Sequence, residues 1–389
     1  MLLTVIVFLL FLLVLSFLVL VHELGHFLVA KKAGIKVEEF GFGLPPRIWG
    51  KKIGETIYSV NWLPIGGFVK LYGEDEAELP STISHKPSSD DIFFAKPKRI
   101  RAAVLLAGVI MNTVLAVLIF YLFLGFSNFK TELPLFFDHH FWGVNQTNKT
   151  DVIIFKTSTG SPAAKAGIKI PSQVLKVNDQ PINNGDQFLA FINQNKGKKV
   201  RISLKDLKTL VSYEIESTPR VAPPKNEGPL GISFSPNTTA VLSYDTVGQK
   251  LFSGITYSFN LLDYNLETIG KLIVISFQEK TAAPVGEAVS GPFGIYGVFS
   301  QIIQIPGLKN KFLQILNFIG LVSISLAFFN VLPFPALDGG RLAFVIIEGI
   351  IGKKVKPAWE QKAHQLGLAL LFGLLILVTI NDVLRRLGR

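Results

Sequence analysis

Long apolar runs constrain this chain more than any other feature. From Leu2 to Val21 the polar residues are Thr4 and Ser16 alone, and a membrane-spanning helix needs about 20 predominantly apolar residues. Three more runs lie at about 102–126, 312–332 and 366–380. Charged residues make up 17% of the chain, whereas soluble domains usually carry about a quarter. The sequence therefore predicts a polytopic α-helical membrane protein with about four transmembrane helices.

Basic residues decide the predicted orientation. The first loop ends in KPKRIR (96–101), and the loop before the last run holds Lys353, Lys354 and Lys356. Short basic loops stay in the cytoplasm, so the N-terminus and the region between the second and third runs are expected outside. The tail RRLGR (385–389) argues the other way for the last helix.

The net charge of the chain is +11. Its basic residues are concentrated around the hydrophobic runs, so the expected partner is a lipid bilayer and not a nucleic acid. The first run lacks a basic n-region and a cleavage site, so it is interpreted as a helix and not a signal peptide.

Two histidines and a glutamate lie at the end of the first run. His22 and His26 are four residues apart and share one helix face, with Glu23 beside them. In His-Glu-x-x-His motifs two imidazoles bind zinc and the glutamate is the general base. His26 precedes Lys31 by roughly 7 Å of helix, so both imidazoles are expected at membrane depth, where an ionisable group costs about 2.5 kcal/mol or more. The alternative is a histidine pair hydrogen-bonded to neighbouring helices.

A third zinc ligand is expected from another span, because catalytic zinc usually has three protein ligands. The chain has no cysteine, which excludes thiolate sites. Asp338 is the candidate, since it is the one acid in the apolar stretch FFNVLPFPALDGGRL (328–342). Pro333 and Pro335 break the helix there. The alternative is an aspartate that caps a helix from Gly340 to Gly352.

These motifs resemble the site-2 protease family of intramembrane zinc metalloproteases, in particular its bacterial RseP/RasP type with a single PDZ domain. The resemblance rests on HELGH (22–26) and on Asn330, Pro333, Pro335 and Leu337-Asp338-Gly339. It extends to EEFGFGLPPRIW (38–49), LPIGGFVKLYGE (63–74), AGVIMN (107–112) and SGPFGI (290–295).

The resemblance implies a zinc-dependent endopeptidase that acts in regulated intramembrane proteolysis, including stress responses, at the bacterial cytoplasmic (inner) membrane. It implies one Zn²⁺ held by His22, His26 and Asp338, with Glu23 as the catalytic base. Its expected partners are single-span membrane proteins, namely anti-sigma-factor-like proteins and remnant signal peptides. Asn330 is expected to contact the unwound substrate, with Asn112 in support. The active site is expected toward the cytoplasmic side.

A β-hairpin is predicted beside the zinc site. Residues 55–62 alternate in polarity, Pro64 to Gly67 form a turn, and Phe68 to Tyr72 return. An unpaired strand edge there could bind an extended substrate, which makes Gly66, Gly67 and Phe68 candidate substrate-binding residues.

The central region resembles a bacterial PDZ domain, an extracytoplasmic α+β fold, although Pro171-Ser172-Gln173 stands where these domains usually read Gly-Asp. His139 and His140 are interpreted as exposed linker residues, and 244–277 as interfacial amphipathic helix. The predicted segments, in order, are as follows: first transmembrane helix 1–33; hairpin region and basic loop 34–101; second transmembrane helix 102–128; PDZ-like domain 138–220; linker and interfacial helices 221–311; third transmembrane helix with the Leu-Asp-Gly motif 312–352; fourth transmembrane helix 363–384.

Two other classes of function compete with the protease. A membrane-anchored PDZ scaffold of a secretion machine would need one anchor, which leaves the buried histidines and acid unexplained. An ion or proton transporter could use His22, Glu23 and Asp338 as a relay, but transporters often show inverted repeats and the sequence shows none. Zinc content of the purified protein separates the protease from both.

Overall fold

The computed structural model describes residues 2–74, 91–209, 211–225, 227–281, 286 and 290–386. The helices of these residues are α1 (Leu2–Lys32), α2 (Lys98–Phe126), α3 (Pro162–Lys165), α4 (Gly185–Gln194), α5 (Val247–Glu279), α6 (Pro292–Gln304), α7 (Leu308–Val331), α8 (Asp338–Ile351) and α9 (Pro357–Arg386). The strands are β1 (Val37–Ile53), β2 (Thr56–Leu71), β3 (Lys130–Leu135), β4 (Asn145–Thr157), β5 (Ser172–Val177), β6 (Gln180–Pro181), β7 (Val200–Asp206), β8 (Ser212–Ser217) and β9 (Ile232–Ser243).

Four helices of the described chain, α1, α2, α7 and α9, are long and apolar enough to cross a membrane. They correspond to the four predicted spans, which confirms that part of the prediction. The last begins earlier than the predicted 363–384, since the candidate span covers Ala358–Leu384. The short helix after the third span begins at Asp338 and not at Gly340.

The chain divides into two compact units, 1–127 with 252–389, and 128–251. In the first unit, α1 packs against α6 and α7 through a cluster of buried side chains, Val7, Phe11, Phe299, Ile302 and Phe318. A second cluster joins the end of α1 to β1, β2, α2 and α8 and contains Ala30, Val37, Leu71, Val104 and Val345. The Ser323 hydroxyl donates to the Asn112 carbonyl at 2.8 Å and links α7 to α2.

The β-hairpin region differs from the predicted one. Residues 68–71 do not pair with 56–62; both segments pair with β1, and Phe40 has Val69 and Tyr58 as partners on its two sides. The tight turn lies at Gly54, whose φ is +63°. The sequence pattern missed β1 because its Gly-Pro-rich centre, GFGLPP, reads as a loop.

The second unit is rich in β-structure. Its strands pair in the order β3-β9-β4-β5-β7-β8, and β6 pairs with β5. Strands and the two short helices α3 and α4 surround one apolar core, which includes Val152, Val174, Phe188, Ile202 and Leu204. The unit is wider than the predicted 138–220, because β3 and β9 pair along their lengths. Its identity as a PDZ domain stays a prediction.

Residues predicted as interfacial helix form one continuous helix, α5. Its N-terminal half packs closely on α2, where the Tyr257 ring contacts Phe120 and Phe123 with centroid distances of 4.9 and 5.9 Å. Gly254 permits this approach, because a Cβ there would lie 2.4 Å from the Val117 carbonyl oxygen. The interfacial position of α5 stays a prediction.

Candidate metal centre

The two histidines of α1 face one point inside the first unit. Their Nε2 atoms are 3.1 Å apart, and His22 and His26 are only 7% and 6% exposed. The Nδ1 of His26 lies 2.8 Å from the Val104 carbonyl oxygen of α2. A carbonyl only accepts, so Nδ1 carries the proton and donates, which leaves the lone pair on Nε2 free for a metal.

Asp338 completes the cluster from α8. Its Oδ2 lies 2.9 Å from His22 Nε2 and 3.2 Å from His26 Nε2. Leu337, not Asp338, occupies the N-cap of α8, and no side chain caps that helix, so the capping alternative loses its support. Among the described residues, these three form the one cluster of three or more side chains able to hold a metal ion.

The donor set fits zinc. Two imidazoles and one carboxylate are the ligands of several catalytic zinc sites, and a tetrahedral zinc with ligands at about 2.0–2.1 Å separates its ligand atoms by about 3.3 Å. The observed separations of 2.9, 3.1 and 3.2 Å are close to this value. Three protein ligands leave a fourth position for water or substrate.

Two glycines allow α2 to reach the histidines. A Cβ on Gly108 would lie 2.5 Å from His26 Nε2 and 2.7 Å from His22 Nε2. A Cβ on Gly25 would lie 2.4 Å from the Ala107 carbonyl oxygen. A side chain at Gly108 would occupy the space between the two imidazoles, and one at Gly25 would collide with the backbone of α2, so the close crossing of α1 and α2 depends on both glycines.

Glu23 lies beside the cluster and is hydrogen-bonded to the backbone of β2. Its Oε2 accepts a hydrogen bond of 3.1 Å from the Val69 amide of β2. Alternate residues of a strand direct their backbone groups to the same edge, so Gly67, Val69 and Leu71 share one edge, where the Leu71 amide donates to Glu74 Oε2 at 3.4 Å. No strand of the described chain pairs with that edge, since β1 and β2 form a sheet of two.

Two cavities meet at the cluster. The larger, about 500 Å³, is lined by Glu23, His26 and Asp338 together with Glu74, Arg341 and His364. The smaller, about 280 Å³, is lined by His22, Glu23 and Asp338 together with Asn112 and Asn330. The cluster therefore borders two open spaces, and Glu23 and Asp338 line both of them.

Comparison with known proteins agrees with this geometry. The sequence pattern of peptidase family M50 matches residues 10–374. The chain belongs to peptidase family M50. This M50 protein is a zinc-dependent metalloprotease, and the family resemblance found in the sequence is confirmed.

Relatives of this M50 peptidase cover almost the whole chain. A Clostridium perfringens protein named as a zinc metalloprotease is 33% identical over 96% of this chain and 97% of its own length. A Clostridium acetobutylicum protein with the same type of name is 31% identical over 94% of both. The regulator of sigma-W protease RasP of Bacillus subtilis is 26% identical over 96% of this chain and 97% of its own length.

The predicted substrate-binding residues lie around the M50 site. Asn112 is fully buried, lines the smaller cavity with Asn330, and its side-chain amide has no hydrogen-bond partner among the described residues. The Gly66 amide donates to Ser16 Oγ of α1 at 3.1 Å, which explains one polar interruption of the first apolar run. Gly67 and Phe68 pair with Phe42 and Gly41 just before Val69. Their contact with substrate stays a prediction.

Several polar residues near the site were missed from the sequence. Arg341 forms an ion pair with Glu74 in the larger cavity, and a buried pair of Arg101 and Glu348 joins α2 to α8. His364 accepts a hydrogen bond from the Ala336 amide. His364 lies among polar residues, next to Gln365 and two residues after Lys362, so no local pattern marks it. His139 packs against Phe141 with ring centroids 4.6 Å apart, and His140 is exposed.

Proposed function

We propose that this M50 metalloprotease is an intramembrane endopeptidase whose zinc ion is held by His22, His26 and Asp338. The observation that carries the proposal is the convergence of three ligand atoms within 3.2 Å of one another. They come from helices 316 residues apart in the sequence, and both carry apolar surfaces. Four helices suited to a membrane support a site in or near the hydrocarbon layer.

The proposed chemistry is hydrolysis of a peptide bond. When bound, zinc supplies a Lewis acid for the scissile carbonyl and lowers the pKa of water. Glu23 takes the proton of the attacking water and delivers it to the leaving nitrogen. Oxygen adds to the carbonyl carbon, the C–N bond breaks, and a carboxylate and an amine leave. The Val69 amide orients the Glu23 carboxylate through its hydrogen bond.

The substrate is an extended segment in this proposal. A helix hides its amides in its own hydrogen bonds, so a membrane-spanning substrate has to unwind before cleavage. The unpaired edge of β2 at Gly67 to Leu71 offers backbone groups to such a segment. Asn330 and Asn112 line the smaller cavity with Glu23; the Asn330 amide can bind the freed backbone groups, with the buried Asn112 in support.

Single-span membrane proteins are the proposed substrates, including anti-sigma-factor-like proteins and remnant signal peptides. A relative's name, regulator of sigma-W protease, supports this class. The setting we propose is a bacterial cytoplasmic membrane, with the active site toward the cytoplasm and the β-rich unit, a PDZ-like domain, outside. The basic first loop supports this orientation.

Zinc content and cleavage of a single-span model substrate test the proposal together. The full chain is purified in detergent as the native sequence and as Glu23→Gln, His26→Ala and Asp338→Ala. We expect about one zinc per chain in the native protein and in Glu23→Gln, since glutamate is not a ligand. Glu23→Gln should lose cleavage by about 10²–10⁴-fold or more, and the other two variants should lose zinc.

Exposed residues supply the controls. His140 and Asp186 are both accessible, so His140→Ala and Asp186→Ala should keep zinc and activity. Substantial turnover by Glu23→Gln would contradict the general-base role. A native protein without zinc that moves ions in vesicles would favour the transporter instead.

A further inference from the structure

The loop before Asp338 is held in an unusual conformation. Ala336 has a φ of +79°, a left-handed conformation that side chains other than glycine disfavour. The loop is also compact, because a Cβ on Gly339 would lie 2.1 Å from the Leu332 carbonyl oxygen and one on Gly340 would lie 2.3 Å from that of Phe334. A backbone held this way needs contacts from outside the loop to persist.

Helix α9 supplies those contacts. The Nδ1 of His364 accepts a hydrogen bond of 2.8 Å from the Ala336 amide. One turn further, Gly367 lies against the same loop, since a Cβ there would be 2.3 Å from the Pro335 carbonyl oxygen. Residues three apart share a helix face, so both contacts come from one face of α9.

We infer that His364 is a positioning residue that fixes the loop of residues 332–337 and so keeps the Asp338 carboxylate at the two histidines. The inference rests on the proposed role of Asp338 as a zinc ligand. His364 is itself not part of the metal cluster. It binds the backbone at Ala336, and its effect reaches Asp338 through the two peptide units that join these residues. Gly367 assists by letting the backbone of α9 approach the loop.

The hydrogen bond from the Ala336 amide requires an acceptor at position 364. Nδ1 accepts from an amide, so the ring supplies a lone pair close to its own backbone. An asparagine side chain can place its carbonyl oxygen near the same point, whereas leucine has a similar size and no acceptor. Loss of the acceptor would leave the Ala336 amide unpaired and would release the loop toward an ordinary conformation.

The test measures zinc binding by the full chain in detergent, by competition with a chelator of known affinity. His364→Leu should weaken zinc binding by about 10–100-fold, the range found when a partner behind a metal ligand is removed. His364→Asn should bind zinc within about threefold of the native protein because it keeps the acceptor. Gly367→Ala should weaken binding like leucine, while Gly373→Ala is the matched control, since a Cβ on Gly373 meets no atom within 4 Å.

Thermal unfolding with and without zinc separates positioning from general stability. A merely structural role would lower the unfolding temperature equally in both states. A positioning role should reduce the increase in unfolding temperature that zinc produces. We expect this reduction for His364→Leu and Gly367→Ala.

Asp338→Ala distinguishes failure of this inference from failure of the proposed function. If that variant binds zinc like the native protein, the metal centre itself is wrong. If it loses zinc while a folded His364→Leu binds zinc within threefold of native, the positioning role alone is overturned. Equal loss in His364→Asn and His364→Leu would also overturn it, because the acceptor would then be irrelevant.

Discussion

A single missing side chain on α2 shapes the metal centre. Gly108 stands where a methyl group would lie within 2.7 Å of both ligand nitrogens. Backbone carbonyls and imidazoles around it are buried, so the neighbours have little room to shift. The residue is therefore as specific a requirement of the site as the ligands themselves, although it takes part in no chemistry.

Gly108→Ala should reduce zinc affinity by at least about 10-fold, comparable to loss of a residue that supports a metal ligand. Alanine is more favourable than glycine in a helix by about 1 kcal/mol, so helix propensity alone predicts that the substitution is favourable. Gly125→Ala on the same helix is the control, because a Cβ there meets nothing within 4 Å. Chelator competition measures both variants, and equal affinities would show that the histidines adjust to the methyl group.

The three members of the candidate metal cluster could be predicted from the sequence because ionisable groups stand out in apolar runs. His22, His26 and Asp338 each interrupt such a run, and zinc chemistry limits which residues can combine. Gly108 and His364 could not be assigned a role the same way. The role of Gly108 depends on the crossing of two helices and that of His364 on a loop 28 residues away in sequence, neither of which a local pattern contains.

At the scale of elements, the edge of β2 connects the sheet to catalysis. The Val69 amide lies outside the pairing with β1 and binds the Glu23 carboxylate. A general base has to be held in a defined orientation to act. The edge thus serves the proposed base and offers its remaining backbone groups to a substrate strand.

Val69→Pro should lower cleavage by about 10-fold or more while zinc content stays at one per chain. Proline removes the amide proton, so Glu23 loses its hydrogen bond and the edge loses a donor. Val69→Ala keeps the amide and should retain most activity. If the proline variant loses zinc as well, the sheet has moved as a whole and the specific role of this amide is not supported.

A buried ion pair joins two helices that carry the site. Arg101 of α2 is 3% exposed and Glu348 of α8 is 1% exposed. The other Glu348 oxygen accepts from the Val355 amide at 3.1 Å. Removal of one partner leaves a buried charge without compensation, which is much more costly than loss of an exposed pair.

Arg101→Met should lower the free energy of unfolding by about 3–5 kcal/mol. The exposed pair of Lys31 and Glu55, with a separation of 2.6 Å, is the control, and Glu55→Gln should cost only about 0–1 kcal/mol. Thermal or denaturant unfolding in one detergent compares them. Equal losses would mean that water reaches the Arg101 pair.

Helices were easier to predict than strands. Each span is one apolar run, so its sequence alone determines it. The pairing of β2 depends on its register with a distant segment. That segment, β1, contains two prolines and three glycines in the sequence VEEFGFGLPPRIWGKKI. Sequence alternation located strands at 55–62 and 68–72 but placed a turn from Pro64 to Gly67, whereas both halves of β2 pair with β1.

At the scale of the whole molecule, the second unit begins and ends at one place. The Tyr244 amide donates to the Phe129 carbonyl oxygen at 3.0 Å, and Lys130 pairs with Ser243. A short linker can therefore replace residues 130–243 without pulling apart the ends of the first unit. The sequence-based boundaries of 138–220 would have left β3 and β9 in place.

This deletion tests what the β-rich unit does for the proposed cleavage of unwound membrane segments. An active site that accepts any unwound segment would endanger intact membrane proteins, so some part of the molecule has to reject them. Specificity can come from steric clashes with the wrong substrate as well as from contacts with the right one. If the β-rich unit lies outside the membrane, as the basic first loop predicts, a folded ectodomain of the substrate would meet it, and a trimmed substrate would not.

We therefore expect the chain with residues 130–243 replaced by a short Gly-Ser linker to cleave short single-span substrates at close to the native rate. The same variant should cut substrates that retain a folded ectodomain at least about 10-fold faster than the native enzyme, which we expect to reject them. Both substrates are compared in one membrane preparation, after zinc content has shown that the first unit is intact. Glu23→Gln in the deleted chain is the control for contaminating proteases. A zinc-loaded deletion variant that loses the short substrate and still rejects the long one would identify the unit as a recruiter, because a filter can be removed without loss of the substrates that already pass it.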